Sequence, residues 1–290
     1  MIPTASAQTT EGAKETSLNW FQAVILGIVQ GITEFLPISS SAHLKVVPVA
    51  LGWGDPGITF SAVIHLGSIA AIIWYFRQEL QQLLQGSWQG IQDKDYHNAN
   101  LRLTVGILLG TIPILVCGVF WKLFVTDDSP LRSMTTIGMT SVGIGLLLGI
   151  GDWMGKRDRA EKDLKPLDAI LMGLAQALAL IPGTSRSGIT ITAGLFMGLD
   201  RPTAARFALL MGIPTIILAG GVELIDVLEQ GWNHAQTVPI LIGTATTFIF
   251  SYLSVVGLVR YLQQQNTWVF VGYRFIFGGF IFWGVLTSNW

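Results

Sequence analysis

The sequence predicts an all-α polytopic membrane protein built as two inverted repeats, each a re-entrant broken-helix hairpin followed by three transmembrane helices. Three observations predict it. The chain is 51% hydrophobic and only 12% charged, where a soluble domain carries about 25% charged residues. Six stretches stay apolar over close to the roughly 20 residues that a bilayer crossing needs. Two further apolar regions are interrupted by proline beside serine clusters, and these two resemble each other.

In chain order, residues 1–19 are polar and lack the basic-then-apolar order of a signal peptide, which predicts a flexible tail. Residues 20–36 run apolar for about 25 Å of helix and then meet Pro37 and three serines. Residues 41–52 are too short to cross alone. A helix that breaks and restarts at membrane depth is tolerated only where protein buries it or it lines a cavity, so 20–52 is expected to form a re-entrant hairpin. Spans at 58–76, 101–123 and 133–154 complete a first repeat, 20–154, and a basic loop, 155–166, follows. In the second repeat, 167–290, Pro182-Gly183 divides a hairpin over 167–199, and spans are expected at 203–225, 238–260 and 268–287.

The repeat rests on a match between Ala23-Val-Ile-Leu-Gly27-Ile-Val-Gln30 and Ala169-Ile-Leu-Met-Gly173-Leu-Ala-Gln176. One gap then sets Pro37 opposite Pro182 and Ser39–Ser41 opposite Thr184–Arg186. An odd number of spans between the copies inverts the second; chance likeness between apolar stretches is the alternative. Loop charges fit the inversion. Arg77, Lys94 and Arg102 lie in 77–102, and five Lys or Arg lie in 155–166, whereas 124–132 has only Arg132 and 227–237 has none. The positive-inside rule places the two basic connections in the cytoplasm and both termini outside. The hairpin tips then meet near mid-membrane.

A net charge of −1 gives no reason to expect nucleic acid as a partner. The lone Cys117 excludes an intramolecular disulfide and reads as core filler.

The chemistry lies at the two breaks. Gln30 and Glu34 are four apart, hence on one helix face. Ser39 or Ser40 is a natural N-cap for the restarting helix, whose free N–H groups suit a phosphate oxygen. Glu34 could hold a divalent cation or act as a base, His43 could move a proton, and a serine could attack phosphorus. Each also has a structural reading: cap, buried carboxylate, packed imidazole. In Pro182-Gly183-Thr184-Ser185-Arg186-Ser187-Gly188, the guanidinium fork of Arg186 fits phosphate oxygens, and Ser185, Ser187 and the Gly188 amide could surround the same anion. A structural Arg186–Glu34 pair is the alternative. Thr190 and Thr192 are expected to back-bond within their helix. His65 reads equally as a packed histidine or a site residue, and Asp152, Arg201, Glu223 and Asp226 are expected at the interface. The ten Trp read as interfacial belts and packing.

From about residue 20 to the C-terminus the chain resembles the undecaprenyl-diphosphate phosphatase family of integral membrane proteins, associated with bacitracin resistance. The motifs that carry the resemblance are Gln30-Gly-Ile-Thr-Glu34-Phe-Leu-Pro37-Ile-Ser39-Ser40-Ser41-Ala-His43 and Pro182–Gly188. The resemblance implies hydrolysis of undecaprenyl diphosphate to the monophosphate carrier of cell-wall synthesis, in the bacterial plasma (inner) membrane. It implies magnesium or calcium as cofactor, with Glu34 as the essential acid and metal ligand. It makes His43 and a neighbouring serine, with Ser40 preferred, catalytic candidates, and it gives diphosphate binding to Arg186. Gln30, Ser39, Ser41, Thr184, Ser185, Ser187 and Gly188 are the further substrate-binding candidates. Gln30 stands where many members have Glu, Ser41-Ala42 replaces Thr-Gly, and His65 stands where members often carry Gln. The expected partners are the polyprenyl-diphosphate substrate and membrane lipids, and a homodimer is compatible with this class. A transporter or flippase of an anionic lipid or small anion is the competing reading, because inverted repeats serve it too.

Overall fold

The computed structural model describes residues 18–126, 129–230 and 237–287. Residues 1–17 of the expected tail, 231–236 of the connection without Lys or Arg, and 288–290 of the second repeat lie outside the described residues.

α1 (Trp20–Phe35) starts at Asn19, whose side chain accepts from Gln22 N while the Gln22 side chain accepts from Asn19 N, both at 2.9 Å. That reciprocal cap satisfies two otherwise free donors. α1 stops where Leu36, held extended before Pro37, leaves helical geometry. α2 (Ser40–Ala50) restarts the chain, and α3 (Ile58–Gln92), α4 (Ala99–Phe124) and α5 (Met134–Met154) follow. The second half repeats the order: α6 (Pro166–Ala177) with a 3-10 turn at Leu178–Leu180, then α7 (Arg186–Phe196), α8 (Arg201–Gln230), α9 (Thr237–Gln264) and α10 (Trp268–Leu286). No strand occurs among the described residues. α3, α4, α5, α8, α9 and α10 are long and apolar enough to cross a membrane. The chain is an all-α, multi-pass membrane protein.

The expected spans coincide with these six helices, with one large difference. α3 continues past 76 to Gln92, so most of the expected 77–102 connection is helix. The reason is packing. Leu83 is buried, Gly86 leaves no room for a Cβ beside Asn100, and Ser87 Oγ donates to Thr104 Oγ1 at 2.8 Å, so α3 and α4 form one long hairpin.

Each half leans on the other reciprocally. α1 packs on α9 and α6 packs on α4, while α3 pairs with α8 and α5 with α10. Glycine permits the first two approaches: a Cβ on Gly27 would lie 2.6 Å from Gly243 O, and one on Gly173 would overlap Gly110 O. The matched glycines of the two sequence copies therefore do the same work against opposite halves.

The loop 155–166 is tied down rather than merely solvated. Arg159 pairs with Asp168 and donates to Met197 O at 2.9 Å and Asp163 O at 2.8 Å; the hydrogen-bonded Asp168 carboxylate raises the Arg159 pKa. Asp152, expected at the interface, is 1% exposed. It accepts from Arg201 Nε at 2.6 Å and from the Thr267 amide at 2.8 Å, joining the end of α5 to the starts of α8 and α10. A carboxylate buried this deeply persists because each oxygen is paired.

Candidate active site

Both breaks end on a serine in unusual backbone geometry. Ser39 has φ 77° and caps α2 by accepting from Ala42 N; Ser185 has φ 68° and caps α7 by accepting from Gly188 N at 3.2 Å. A non-glycine residue held there costs on the order of 1–3 kcal/mol and persists where its surroundings impose it. Matching these caps pairs Ser39 with Ser185, and therefore Ser40 with Arg186, one residue away from the expected register. The shift arises because three steps separate Pro182 from its cap and only two separate Pro37 from Ser39.

The two helix-starting side chains converge on one carboxylate. Ser40 Oγ donates to Glu34 Oε2 at 2.7 Å, and Arg186 Nη2 lies 3.3 Å from Glu34 Oε1. Gln30 Nε2 donates to Oε2 at 2.9 Å, from one turn earlier on α1. His65 Nε2 stands 3.6 Å from the same oxygen, so the structure brings His65 to the site. Its Nδ1 faces Ser61 O at 2.9 Å and Glu223 at 3.6 Å, so Glu223, with its side chain 42% exposed, stands behind His65. Arg186 is aimed from α8, where Nη1 donates to Gly212 O at 2.5 Å. The Glu34 side chain is 9% exposed and that of Arg186 15%, so their attraction is little screened.

No hydrogen bond joins His43 to Ser40, although three residues set them one turn apart. Its Nδ1 meets Ser39 O and its Nε2 meets Tyr273 Oη, each at 2.6 Å, and its ring stacks on Phe277 at 4.0 Å. A carbonyl only accepts, so Nδ1 carries the hydrogen and Nε2 accepts from Tyr273. His43 thus bonds the Ser39 turn and Tyr273, and the hydrogen-bond partner of Ser40 is Glu34.

The second motif is largely spent on holding the breaks. The Gly188 amide goes to Ser185 Oγ, Ser187 Oγ donates to Leu36 O at 3.1 Å across the two breaks, and Thr184 is buried. Ser39 is buried likewise, with Oγ 3.2 Å from that of Ser41, which is exposed. Thr190 and Thr192 back-bond to Arg186 O and Gly188 O as expected.

Arg274 and Tyr273 are the residues that sequence reasoning missed. Arg274 is fully buried and donates to Pro37 O at 3.2 Å and Gly183 O at 2.9 Å, one carbonyl from each break, and to Thr140 O and Ser141 O of α5. A lone arginine within the apolar run 268–287 was the available signal.

For a divalent cation, no group of three His, Cys, Asp or Glu occurs among the described residues. The oxygens that would serve are Glu34 and Gln30 Oε1, the latter buried without a hydrogen-bond partner. One carboxylate and an amide oxygen suit a hard cation that completes its shell with phosphate oxygens. The donor set fits magnesium or calcium in kind.

The family model described as bacitracin resistance protein BacA matches residues 23–280. The chain belongs to the BacA family. Among BacA-like relatives, an undecaprenyl-diphosphatase of Nostoc sp. is 53% identical over 276 residues, covering 94% of this chain and 86% of its own. One from Synechococcus elongatus is 53% identical over 274 residues, covering 94% and 95%, and one from Synechocystis sp. is 48% identical over 280, covering 96% and 86%.

Proposed function

We propose that this BacA-family chain hydrolyses undecaprenyl diphosphate to undecaprenyl phosphate and inorganic phosphate, recycling the lipid carrier in the bacterial plasma (inner) membrane. The observation that carries the reading is the convergence of the Ser40 hydroxyl and the Arg186 guanidinium on Glu34. Holding an anion for transport needs Arg186 but not a hydroxyl donated to a carboxylate.

In this mechanism Arg186 exchanges part of its Glu34 pairing for the substrate's phosphate oxygens. Ser40 Oγ forms a bond to the terminal phosphorus as the anhydride P–O bond breaks, and undecaprenyl phosphate departs. The serine proton passes to Glu34 Oε2, its hydrogen-bond partner. Water then attacks the phosphoserine, Glu34 returns the proton to Ser40 Oγ, and inorganic phosphate leaves with the water's protons. Magnesium or calcium, held by Glu34 and Gln30 Oε1, would supply positive charge against the phosphate oxygens. His43 keeps the Ser39 turn in place and thereby aims Ser40. Ser41, exposed one step on, faces incoming substrate.

The two halves are read as inverted repeats, which the reciprocal packing of α1 on α9 and α6 on α4 supports. The basic 155–166 loop is assigned to the cytoplasm.

Phosphate release by detergent-purified protein supplied with undecaprenyl diphosphate tests the reading. No compartments exist there, so transport gives no signal. Robust release by the wild type, lost in Glu34→Gln, is the expected result. Release unchanged in Glu34→Gln removes the carboxylate from the chemistry, and no release from folded wild type returns the reading to transport.

A further inference from the structure

A cavity of about 700 Å³ lies where α3, α4 and α8 meet the 155–166 loop, and it shares no residue with the Glu34–Arg186 site. We propose that it binds an anionic glycerophospholipid of the surrounding bilayer; this does not depend on the hydrolytic reading. Its walls are apolar, with Val105 and Gly106 of α4 and Phe207 of α8, whereas Arg102, Lys162 and Lys165 stand around it. Neither lysine has an ion-pair partner among the described residues, and the Arg102 guanidinium meets only Leu164 O, at 3.3 Å. The one acid in the lining, Glu161, is bonded to Arg206, so the unpaired charge at the mouth is positive. Val105 is 41% and Ile91 55% exposed, so part of the apolar lining is open to the surroundings of the helices.

An apolar chamber with unpaired cations at its polar end matches an amphiphile with a negative head and acyl chains. Basic pockets between membrane helices hold anionic headgroups in this way, each Lys or Arg being worth about a fivefold gain in affinity near the surface. Free phosphate would leave the apolar walls uncovered, and a zwitterionic lipid would gain little from the cations.

The test is native mass spectrometry of purified, delipidated full-length protein titrated separately with phosphatidylglycerol, phosphatidylcholine and a polyprenyl phosphate. One phosphatidylglycerol should be retained at energies that strip phosphatidylcholine. The double variant Lys162→Gln/Lys165→Gln should weaken that binding roughly twenty-five-fold, two fivefold steps. Val105→Trp, which fills the chamber while keeping every charge, should also remove it, and a monodisperse elution profile with wild-type helical content shows that both variants are folded. Equal retention of the two phospholipids, a preference for polyprenyl phosphate, or undiminished binding in both variants overturns the proposal.

Discussion

Replacing Arg274 with Met takes away a fully buried guanidinium that ties Pro37 O and Gly183 O together across the two helix breaks. Neither carbonyl has another hydrogen bond among the described residues. A buried acceptor left without a donor costs about 1–3 kcal/mol, so the two together cost about 2–6 kcal/mol. Against a total of about 5–15 kcal/mol for a folded domain, that is a severe but survivable loss. The larger effect falls on turnover. Pro37 sits two residues from the Ser39 turn, and Gly183 two from the Ser185 turn, so freeing both carbonyls lets Ser40 and Arg186 drift apart. A displacement of about 1 Å at a reacting group can cost 100-fold in rate. Arg274→Lys keeps the charge but not the fork, and one ammonium cannot span carbonyls on three segments, so it should recover stability more than turnover. The assay pairs a melting curve with kcat and KM for phosphate release, on variants shown to be monodisperse. Near-wild-type kcat in Arg274→Met would falsify the assignment of Arg274 as the residue that sets the two breaks.

Ser40→Ala should abolish turnover while a non-hydrolysable diphosphate lipid still binds, and Ser41→Ala should be milder; acid quench should trap phosphate on serine, and phosphate on His43 instead would transfer the nucleophile's role. Arg186→Lys should be nearly as damaging as Arg186→Ala, because the second nitrogen that reaches Gly212 O is lost with the fork; hydrolysis close to wild type would take diphosphate binding away from Arg186. Gly183→Ala should lower the melting temperature, since Gly183 has φ 89° and a Cβ would lie 2.8 Å from Ile137 O, adding a backbone clash to about 1–3 kcal/mol of strain; an unchanged melt means the break relaxes freely. On a Cys117→Ala background, a cysteine at Asp158 should react in intact cells only with membrane-permeant reagents and one at Ser129 with impermeant reagents as well, and impermeant labelling of both would break the inverted topology.

The sequence by itself determined the class, the six spans and the residues worth watching. Local physics suffices for these: an apolar run must be helical in a bilayer, proline beside a serine cluster marks the breaks at Pro37 and Pro182, and Glu34 and Arg186 are too costly there to be idle. It also indicated the two-copy pattern, through Gly27–Gln30 and Gly173–Gln176. What it left open were questions of distance between segments far apart in the chain. Whether Ser40 turned to His43 or to Glu34 depended on Tyr273, 230 residues beyond His43, which takes the imidazole Nε2. The register of the two breaks depended on which serine entered positive φ, a backbone choice that an alignment on proline does not register. His65 remained ambiguous and Arg274 was missed because a buried polar side chain is defined by its partners. Those partners, Glu34 for the one and the carbonyls of both breaks for the other, come together only when the two halves pack.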